Sequence, residues 1–210
     1  MSGNAYGMDE DHGIDTRGDE SEHLVAGVLA GGGSRRYGRD KAFVRCRGRT
    51  LVEHALERAG AVADETYILS KEPEKFSNLP WTVIPDITST PSPISGILTI
   101  SPFVKDWLLV AACDIYVSDH DFLRRLWEAR RPGHAVVPVT EWGLQPLLAL
   151  YPRELLPVWE EAYREGNFKL RWIVEKMPYV AIAAVPAGKR RSGRAADSRP
   201  FVNINRPEDL

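Results

Sequence analysis

Residues 24–41 read LVAGVLAGGGSRRYGRDK, a short apolar run followed at once by a glycine-rich, cationic turn. The run from Leu24 to Leu29 is typical of a buried strand. The glycines from Gly31 to Gly33 allow a sharp turn and bring backbone N–H groups close to a phosphate. Basic side chains follow directly, at positions 35, 36, 39 and 41. A strand that runs into such a turn indicates a site for a nucleotide triphosphate.

Two better-known phosphate-binding loops have fixed spacings that this turn does not meet. A dinucleotide fingerprint starting at Gly31 would need its third glycine where the sequence has Arg36. A P-loop would need Lys and then Ser or Thr after Gly38, where the sequence has Arg39 and Asp40. We therefore expect neither a Rossmann cofactor site nor an ordinary P-loop NTPase.

Further along, short apolar runs alternate with amphipathic stretches, which is the pattern of an α/β fold with a mostly parallel sheet. The predicted strands are 24–29, 66–69, 81–84, 107–111, 135–139 and 179–185. The predicted helices are 50–61 and 119–130, the second with Ser118 as its N-terminal cap. Ligands of such sheets collect beyond the carboxyl ends of the strands. The glycine turn, Asp86 and Asp114 each follow a predicted strand, so we expect them at one edge.

The composition favours a single soluble domain behind an N-terminal tail. The chain has 210 residues and a net charge of −2, which argues against a protein that coats nucleic acid. Cys46 and Cys113 are too few for a Cys-x-x-Cys redox or zinc motif, and no apolar run approaches the roughly 20 residues that cross a bilayer. We expect a cytoplasmic protein with a disordered acidic extension over residues 1–22 and one domain over residues 23–210.

The pattern left in the turn is L-A-G-G-x-S-x-R-x-G-x-D-K, and with it the chain resembles the molybdenum cofactor guanylyltransferases (MobA type) of the nucleotidyltransferase superfamily. Further matches, in the family's order, are VIPD at 83–86, SPISG at 92–96, AACD at 111–114, QPLLALY at 145–151 and FVNINRPEDL at 201–210. The resemblance implies a three-layer α/β sandwich with a mostly parallel, Rossmann-like sheet of the nucleotide-diphospho-sugar-transferase type.

The same resemblance implies a role for each matching residue. The nucleotide-binding residues would be Leu29, Ala30, Gly31, Gly32, Gly33, Ser34, Arg35, Lys41, Ser70, Asp86, Gly96 and Asp114. The catalytic residues would be Asp114, Lys41 and Arg36, with Asp114 as the ligand of Mg²⁺, and the acceptor would contact Asn203 and Asn205.

Elementary chemistry supports the two carboxylates in these roles. Magnesium prefers one or two carboxylates together with phosphate oxygens and water, so Asp114 opposite a triphosphate loop is sufficient. A carboxylate at Asp86 can accept the N1–H and 2-amino hydrogens of guanine, which adenine does not offer. Each residue also has a plainer interpretation, because Asp is common in turns and Lys41 is one of 27 basic residues.

The carboxyl-terminal part raises two further hypotheses. Asn203 and Asn205 flank one residue, so in an extended segment both amides would face the same side, although Asn also suits the turn before Pro207. The basic stretch 187–200 is typically a solvated loop. Because it ends just before the asparagines, we hypothesise that it helps to hold the phosphate of the acceptor.

Five positions depart from the family pattern. Tyr37 replaces a methionine, and Ile115 and Tyr116 follow Asp114 where the family has Thr or Met and then Pro. In segment 92–96, which we interpret as a loop, Ser92 and Ser95 stand where the family more often has Gly-Pro-Leu-Ala-Gly. These departures bear on the shape of the loops and leave the resemblance as a whole in place.

The function implied is attack by the phosphate of molybdopterin on the α-phosphate of GTP, with pyrophosphate leaving. The partners would be GTP, the pterin and, transiently, cofactor-synthesis or molybdoenzyme proteins, with no nucleic acid or membrane. The resemblance favours guanylyl over cytidylyl transfer at Gly31 and Gly32, because related cytidylyl enzymes tend to carry Ala-Ala-Gly after the strand leucine. A cytidylyltransferase for the same pterin, a transferase for a sugar phosphate or other small phosphorylated acceptor, and a non-catalytic nucleotide-binding protein remain open alternatives.

Overall fold

The computed structural model describes residues 22–31, 40–88, 90–184, 200–204 and 209. The strands in these residues are β1 (Leu24–Leu29), β2 (Arg45–Cys46), β3 (Arg49–Thr50), β4 (Glu65–Ser70), β5 (Thr82–Pro85), β6 (Trp107–Ala112), β7 (Ile115–Val117), β8 (Ala135–Thr140), β9 (Gly143–Leu144), β10 (Leu148–Pro152), β11 (Tyr179–Ala183) and β12 (Phe201–Asn203). The α-helices are α1 (Leu51–Gly60), α2 (Pro93–Ile100), α3 (Phe122–Glu128), α4 (Leu156–Arg164) and α5 (Leu170–Glu175). Short 3₁₀ helices cover Lys41–Phe43, Pro73–Phe76, Ser101–Phe103 and Arg153–Leu155.

A mixed, mostly parallel sheet forms the centre of the molecule. Its 8 strands run in the order β11-β8-β10-β6-β1-β4-β5, and β9 pairs with β8 at one end. The neighbours β6, β1, β4 and β5 are mutually parallel, and β10 is antiparallel to both β6 and β8. Two small sheets, β2-β3 and β7-β12, lie outside it.

The alternation of side chains along β1 separates two apolar cores. Leu24, Ala26 and Val28 belong to the core that includes buried residues of α1 and α3. Val25 belongs to the core that includes buried residues of α2, α4 and α5. Because successive residues of a strand point to opposite faces, a continuous apolar strand buries both faces of the sheet. The result is the three-layer α/β sandwich that the sequence predicts.

The first helix begins where a local signal predicts. Thr50 is its N-terminal cap, and the Thr50 hydroxyl accepts a hydrogen bond from the backbone N–H of Glu53. The Glu53 carboxylate in return accepts one from the backbone N–H of Thr50 at 2.7 Å, which completes a capping box. The apolar face predicted over 50–61 is buried against β1 and β4.

Most predicted strands are confirmed within a residue or two of their bounds, but several elements differ. The predicted cap at Ser118 is wrong: α3 begins at Phe122 behind Asp121, because residues up to Val117 pair with the C-terminal strand β12. The segment 92–96, interpreted as a loop, is the cap and first turn of α2, with the Ser92 hydroxyl accepting from the N–H of Ile94. Strand β10 and helices α2, α4 and α5 were not predicted.

The last residue of the predicted N-terminal extension is bound to the domain. Glu22 accepts a hydrogen bond from the indole N–H of Trp107 at 3.0 Å and also pairs with Arg130. Residues 1–21 lie outside the described residues, as does Val185 at the end of the last predicted central strand. No helix in the described part of the chain is long and apolar enough to cross a membrane.

Candidate active site

The carboxyl ends of β6, β1, β4 and β5 meet in one row, which we call the carboxyl edge. The N–H of Cys113 donates to the carbonyl of Leu29 at 3.1 Å, and the N–H of Ala30 donates to the carbonyl of Leu69 at 3.0 Å. The N–H of Asp86 donates to the carbonyl of Ser70, also at 3.0 Å. The residues that follow these strands therefore lie side by side, as the rule for parallel sheets predicts.

An ion pair stands at the centre of the carboxyl edge. The Nζ atom of Lys41 lies 3.5 Å from Oδ2 of Asp114, and the two side chains are 18% and 32% exposed. Lys41 starts a 3₁₀ helix whose cap is Asp40, and the Asp40 carboxylate accepts from the N–H of Ala42. The pair thus combines an ammonium group suited to phosphate oxygens with a carboxylate suited to a hard cation.

The Cys113 thiol, which lies between β6 and Asp114, is buried and unreactive. Cys113 is buried, and burial raises the pKa of its thiol. The carboxylates of Asp114 and Asp40 raise that pKa further, so the thiol stays protonated at neutral pH. A protonated, buried thiol is a poor nucleophile, so covalent catalysis by Cys113 is disfavoured.

Asp86 presents an acceptor with no partner among the described residues. Its Oδ1 atom is buried and makes no hydrogen bond within them. Burial raises the pKa of the Asp86 carboxyl, and the positive charge of Lys71 partly offsets that rise. A buried, unpartnered acceptor costs free energy unless a ligand or water donates to it. Asp86 therefore marks a place where a hydrogen-bond donor is expected.

The carboxyl-terminal strand brings Asn203 to the same region. In the pairing of β12 with β7, Asn203 lies opposite Ile115, the residue that follows Asp114. The N–H of Ile204 donates to the carbonyl of Asp114 at 2.7 Å. Asn203 is exposed at this place, and its predicted contact with the acceptor stays a prediction.

Comparisons with known proteins identify the family. A family model, the MobA-like NTP transferase domain, matches residues 26–180. The chain belongs to this family. Among curated relatives, the probable molybdenum cofactor guanylyltransferases of Pyrococcus horikoshii and Deinococcus radiodurans are each 30% identical to it. The first alignment covers 89% of this chain and 97% of the relative, and the second covers 89% and 92%.

Solved structures agree with the assignment to the MobA-like NTP transferases. The molybdopterin-guanine dinucleotide biosynthesis protein A of Archaeoglobus fulgidus is 27% identical, with a TM-score of 0.65 over 76% of this chain and 83% of that one. A putative protein from Aquifex aeolicus is 26% identical, with a TM-score of 0.68 over 80% and 90%. The chain is thus a nucleotidyltransferase in family and in fold.

The family implies a divalent metal ion, and the residues at the carboxyl edge of this MobA-like NTP transferase fit one. The Asp114 carboxylate is a hard oxygen ligand, and it is open enough for a hydrated ion to reach. Within the described ranges no three His, Cys, Asp or Glu side chains cluster as metal ligands. An ion at Asp114 would therefore take its remaining ligands from phosphate oxygens and water.

Two of the small residues predicted to bind nucleotide have a structural reason in this MobA-like NTP transferase. A Cβ at Gly96 would lie 2.2 Å from Cδ2 of Leu29, so any larger residue there would require the Leu29 side chain to move. The hydroxyl of Ser70 is buried and accepts from the N–H of Glu72 at 3.1 Å. Their predicted contacts with the nucleotide stay predictions.

Several predicted site residues lie outside the described residues. They are Gly32, Gly33, Ser34, Arg35, Arg36 and Asn205, together with most of the basic stretch 187–200. Their predicted roles stay predictions. The described residues Leu29, Ala30 and Gly31 stand at the end of β1, as expected.

Sequence reasoning did not anticipate a group of hydroxyl side chains behind Asp86. The group comprises Thr88, Thr90, Ser95 and Tyr163, which we call the hydroxyl cluster. Ser95 is part of a departure from the family pattern, and that departure was the only signal for it in the sequence. Tyr163 comes from α4, 73 residues from Thr90, and no local pattern could connect the two.

Proposed function

We propose that this protein transfers the guanylyl group of GTP to the phosphate of molybdopterin, releasing pyrophosphate and forming a guanine dinucleotide cofactor. The relatives named as molybdenum cofactor guanylyltransferases support the reaction class. The observation that carries the proposal is the arrangement at the carboxyl edge. The Lys41–Asp114 pair follows β1 and β6, and Asp86, whose Oδ1 atom has no partner among the described residues, follows β5 of the same row.

Asp86 supports the choice of guanine. With its Oδ1 atom buried and unpartnered within the described residues, the carboxylate can accept the N1–H and 2-amino hydrogens of guanine. Adenine has no N1–H and would leave this acceptor unsatisfied, at a cost of about 1–3 kcal/mol. Discrimination by an unsatisfied polar group is stronger than discrimination by shape alone.

Positioning and charge account for the chemistry. A phosphate nucleophile is already ionised near neutral pH, so no general base is required. Lys41 would hold the phosphates and offset the charge that develops on departing pyrophosphate, with Arg36 as a second cation. Asn203, and by proposal Asn205 and the basic stretch 187–200, would orient the acceptor.

We further infer that the divalent ion is Mg²⁺. Asp114 would hold it, because one carboxylate with phosphate oxygens and water suits magnesium. When bound, magnesium polarises the phosphoryl oxygens and neutralises charge on the leaving group. The reaction belongs in the cytoplasm, where we also propose transient contact with the proteins that supply or receive the cofactor.

The test is a turnover assay that measures pyrophosphate release. Purified protein is incubated with molybdopterin and with GTP, CTP, ATP or UTP, each with Mg²⁺ and with EDTA. We expect release with GTP only, dependent on both the pterin and Mg²⁺. Pyrophosphate release with CTP would indicate a cytidylyltransferase. Release with a sugar phosphate in place of the pterin would indicate a different acceptor. Nucleotide binding without release would indicate a non-catalytic protein.

A further inference from the structure

The hydroxyl cluster holds the loop from Asp86 to Ser92, of which all residues but Ser89 are described. The Oγ atoms of Thr88 and Ser95 lie 2.5 Å apart, and the Ser95 hydroxyl also donates to the carbonyl of Thr90 at 2.9 Å. The hydroxyls of Thr90 and Tyr163 lie 3.0 Å apart. Ser95 belongs to α2 and Tyr163 to α4, so two helices hold one loop.

Two more hydrogen bonds hold the same loop. The N–H of Ile87, the residue after Asp86, donates to the hydroxyl of Thr99 at 3.0 Å, and that hydroxyl donates to the carbonyl of Ser95 at 2.8 Å. The ammonium of Lys71 donates to the carbonyl of Thr90 at 2.5 Å. Ser95 and Thr99 are fully or almost fully buried, so the bond between them is shielded from water, whereas the Lys71 bond is exposed.

The direction of the Asp86 side chain depends on these attachments. On its N-terminal side Asp86 is held by the bond from its own N–H to the carbonyl of Ser70. On its C-terminal side, the attachments to Thr99 and to the hydroxyl cluster set the path of the chain. A carboxylate that must meet two donors of a planar base at hydrogen-bond distance tolerates little displacement.

Electrostatics agree with close contact at Tyr163. Hydrogen bonds with Thr90 and Thr88, together with the charge of Lys71, lower the pKa of the Tyr163 hydroxyl below its ordinary value. The ring of Tyr163 packs edge to face on Phe168, with centroids 6.0 Å apart. The ring is therefore anchored independently of its hydroxyl, which makes removal of the hydroxyl alone a clean change.

We propose that Tyr163 and Ser95 are positioning residues, which hold the loop that begins at Asp86 so that its carboxylate meets the guanine base. This inference rests on the proposed function, since guanine is the base that Asp86 is proposed to contact. It adds that base selectivity in this chain depends on a hydroxyl from α4 and on a serine that departs from the family pattern.

The test compares Tyr163→Phe and Ser95→Ala with wild type in steady-state kinetics, using GTP and inosine triphosphate, which lacks the 2-amino group. We expect each variant to raise KM for GTP about three- to tenfold, the size of one lost hydrogen bond, with kcat within twofold. KM for inosine triphosphate should rise less, because that base has one donor fewer to lose. Tyr179→Phe, at the far end of edge strand β11, is the matched control and should behave as wild type.

A second measurement separates this inference from the proposed function. Hydrogen exchange of the peptide covering residues 86–92, without nucleotide, should be faster in Tyr163→Phe and Ser95→Ala than in wild type or Tyr179→Phe. Unchanged exchange and unchanged KM for GTP in active variants would overturn the inference while leaving guanylyl transfer in place. A wild-type enzyme that does not use GTP would overturn the proposed function, and the base-positioning inference would fall with it.

Discussion

At the scale of single residues, the paired charges of Lys41 and Asp114 are the centre of the proposed chemistry. Their side chains are only partly exposed, so a phosphate that enters between them meets groups that water screens less than it would at the surface. In the proposed reaction the Lys41 ammonium would exchange its contact with Asp114 for one with phosphate, and the Asp114 carboxylate would hold the metal ion. The ion pair therefore keeps both groups in place before the substrate arrives.

The first prediction concerns Asp114. Asp114→Asn preserves size but removes the charge that is proposed to hold the metal ion, so we expect kcat to fall at least about 100-fold. The thermal unfolding temperature should stay within a few degrees. Pyrophosphate release checks the rate, and Asp121→Asn, at an exposed surface pair with Arg124, is the control. Turnover near wild type would remove Asp114 from the metal site.

The second prediction concerns the base. Asp86→Asn places an amide beside the N1–H of guanine and removes a charged acceptor, so we expect the Kd for GTP to rise about 10- to 100-fold. Calorimetry with GTP and with inorganic tripolyphosphate separates the base from the phosphates, and tripolyphosphate should bind as it does to wild type. An unchanged Kd for GTP would show that Asp86 does not contact the base.

At the scale of elements, the packing of α2 on β1 controls how the site is built. Gly27 on the strand and Gly96 on the helix both face apolar side chains, and a Cβ at Gly27 would come within 2.8 Å of Leu69. Because neither glycine carries a Cβ, the Leu29 and Leu69 side chains occupy the space beside it, and helix and strand approach closely. The N-terminus of α2 and the loop behind Asp86 are thereby brought to the carboxyl edge.

The third prediction tests this approach. Gly96→Ala puts a methyl group 2.2 Å from Cδ2 of Leu29, so we expect overpacking to lower the free energy of unfolding by about 1–3 kcal/mol. Gly60→Ala is the matched control, because its nearest neighbour is Thr66 Oγ1 at 3.6 Å. That change should be neutral or stabilise by up to about 1 kcal/mol. Equal effects of the two substitutions in urea denaturation would contradict the packing argument.

At the scale of the whole molecule, local hydrogen bonds to acidic side chains in different parts of the domain make its stability depend on pH. Hydrogen bonds from Thr50 lower the pKa of Glu53 at the start of α1, and the one from Arg125 lowers the pKa of Asp119 before α3. A carboxyl group with a lowered pKa in the fold stabilises it fully above its unfolded pKa. That contribution is lost as the pH falls through its folded value.

The fourth prediction concerns how the free energy of unfolding depends on pH. The free energy of unfolding should decrease as the pH falls from about 5 to about 3, across and below the ordinary carboxyl range. Asp86, whose pKa is raised by burial, acts in the opposite sense and offsets part of the loss. The double variant Glu53→Gln and Asp119→Asn should show a smaller decrease in urea denaturation across this range. An unchanged pH dependence would contradict the assignment.

Comparison of the predicted and observed elements shows which sequence patterns act over a short range. The capping box at Thr50 and the apolar run of β1 are short-range patterns, and both were predictable. Strand β10 was not predicted, because a short apolar run does not by itself indicate a strand. Its antiparallel pairing with β6 is visible only in the structure. The Ser118 cap was wrong because pairing of β7 with a strand from the end of the chain overrides local helix signals.

The sequence by itself determined the family, the three-layer class of fold and the residue types that follow each strand. These depend on motif spacing and apolar periodicity, which are short-range patterns in the sequence. Only the tertiary structure decided that Lys41 lies against Asp114, that Asp86 has a buried acceptor without a partner in the described residues, and that Tyr163 reaches the loop behind it. The physical reason is distance along the chain. These contacts join residues dozens of positions apart, and packing of helices on a sheet brings them together.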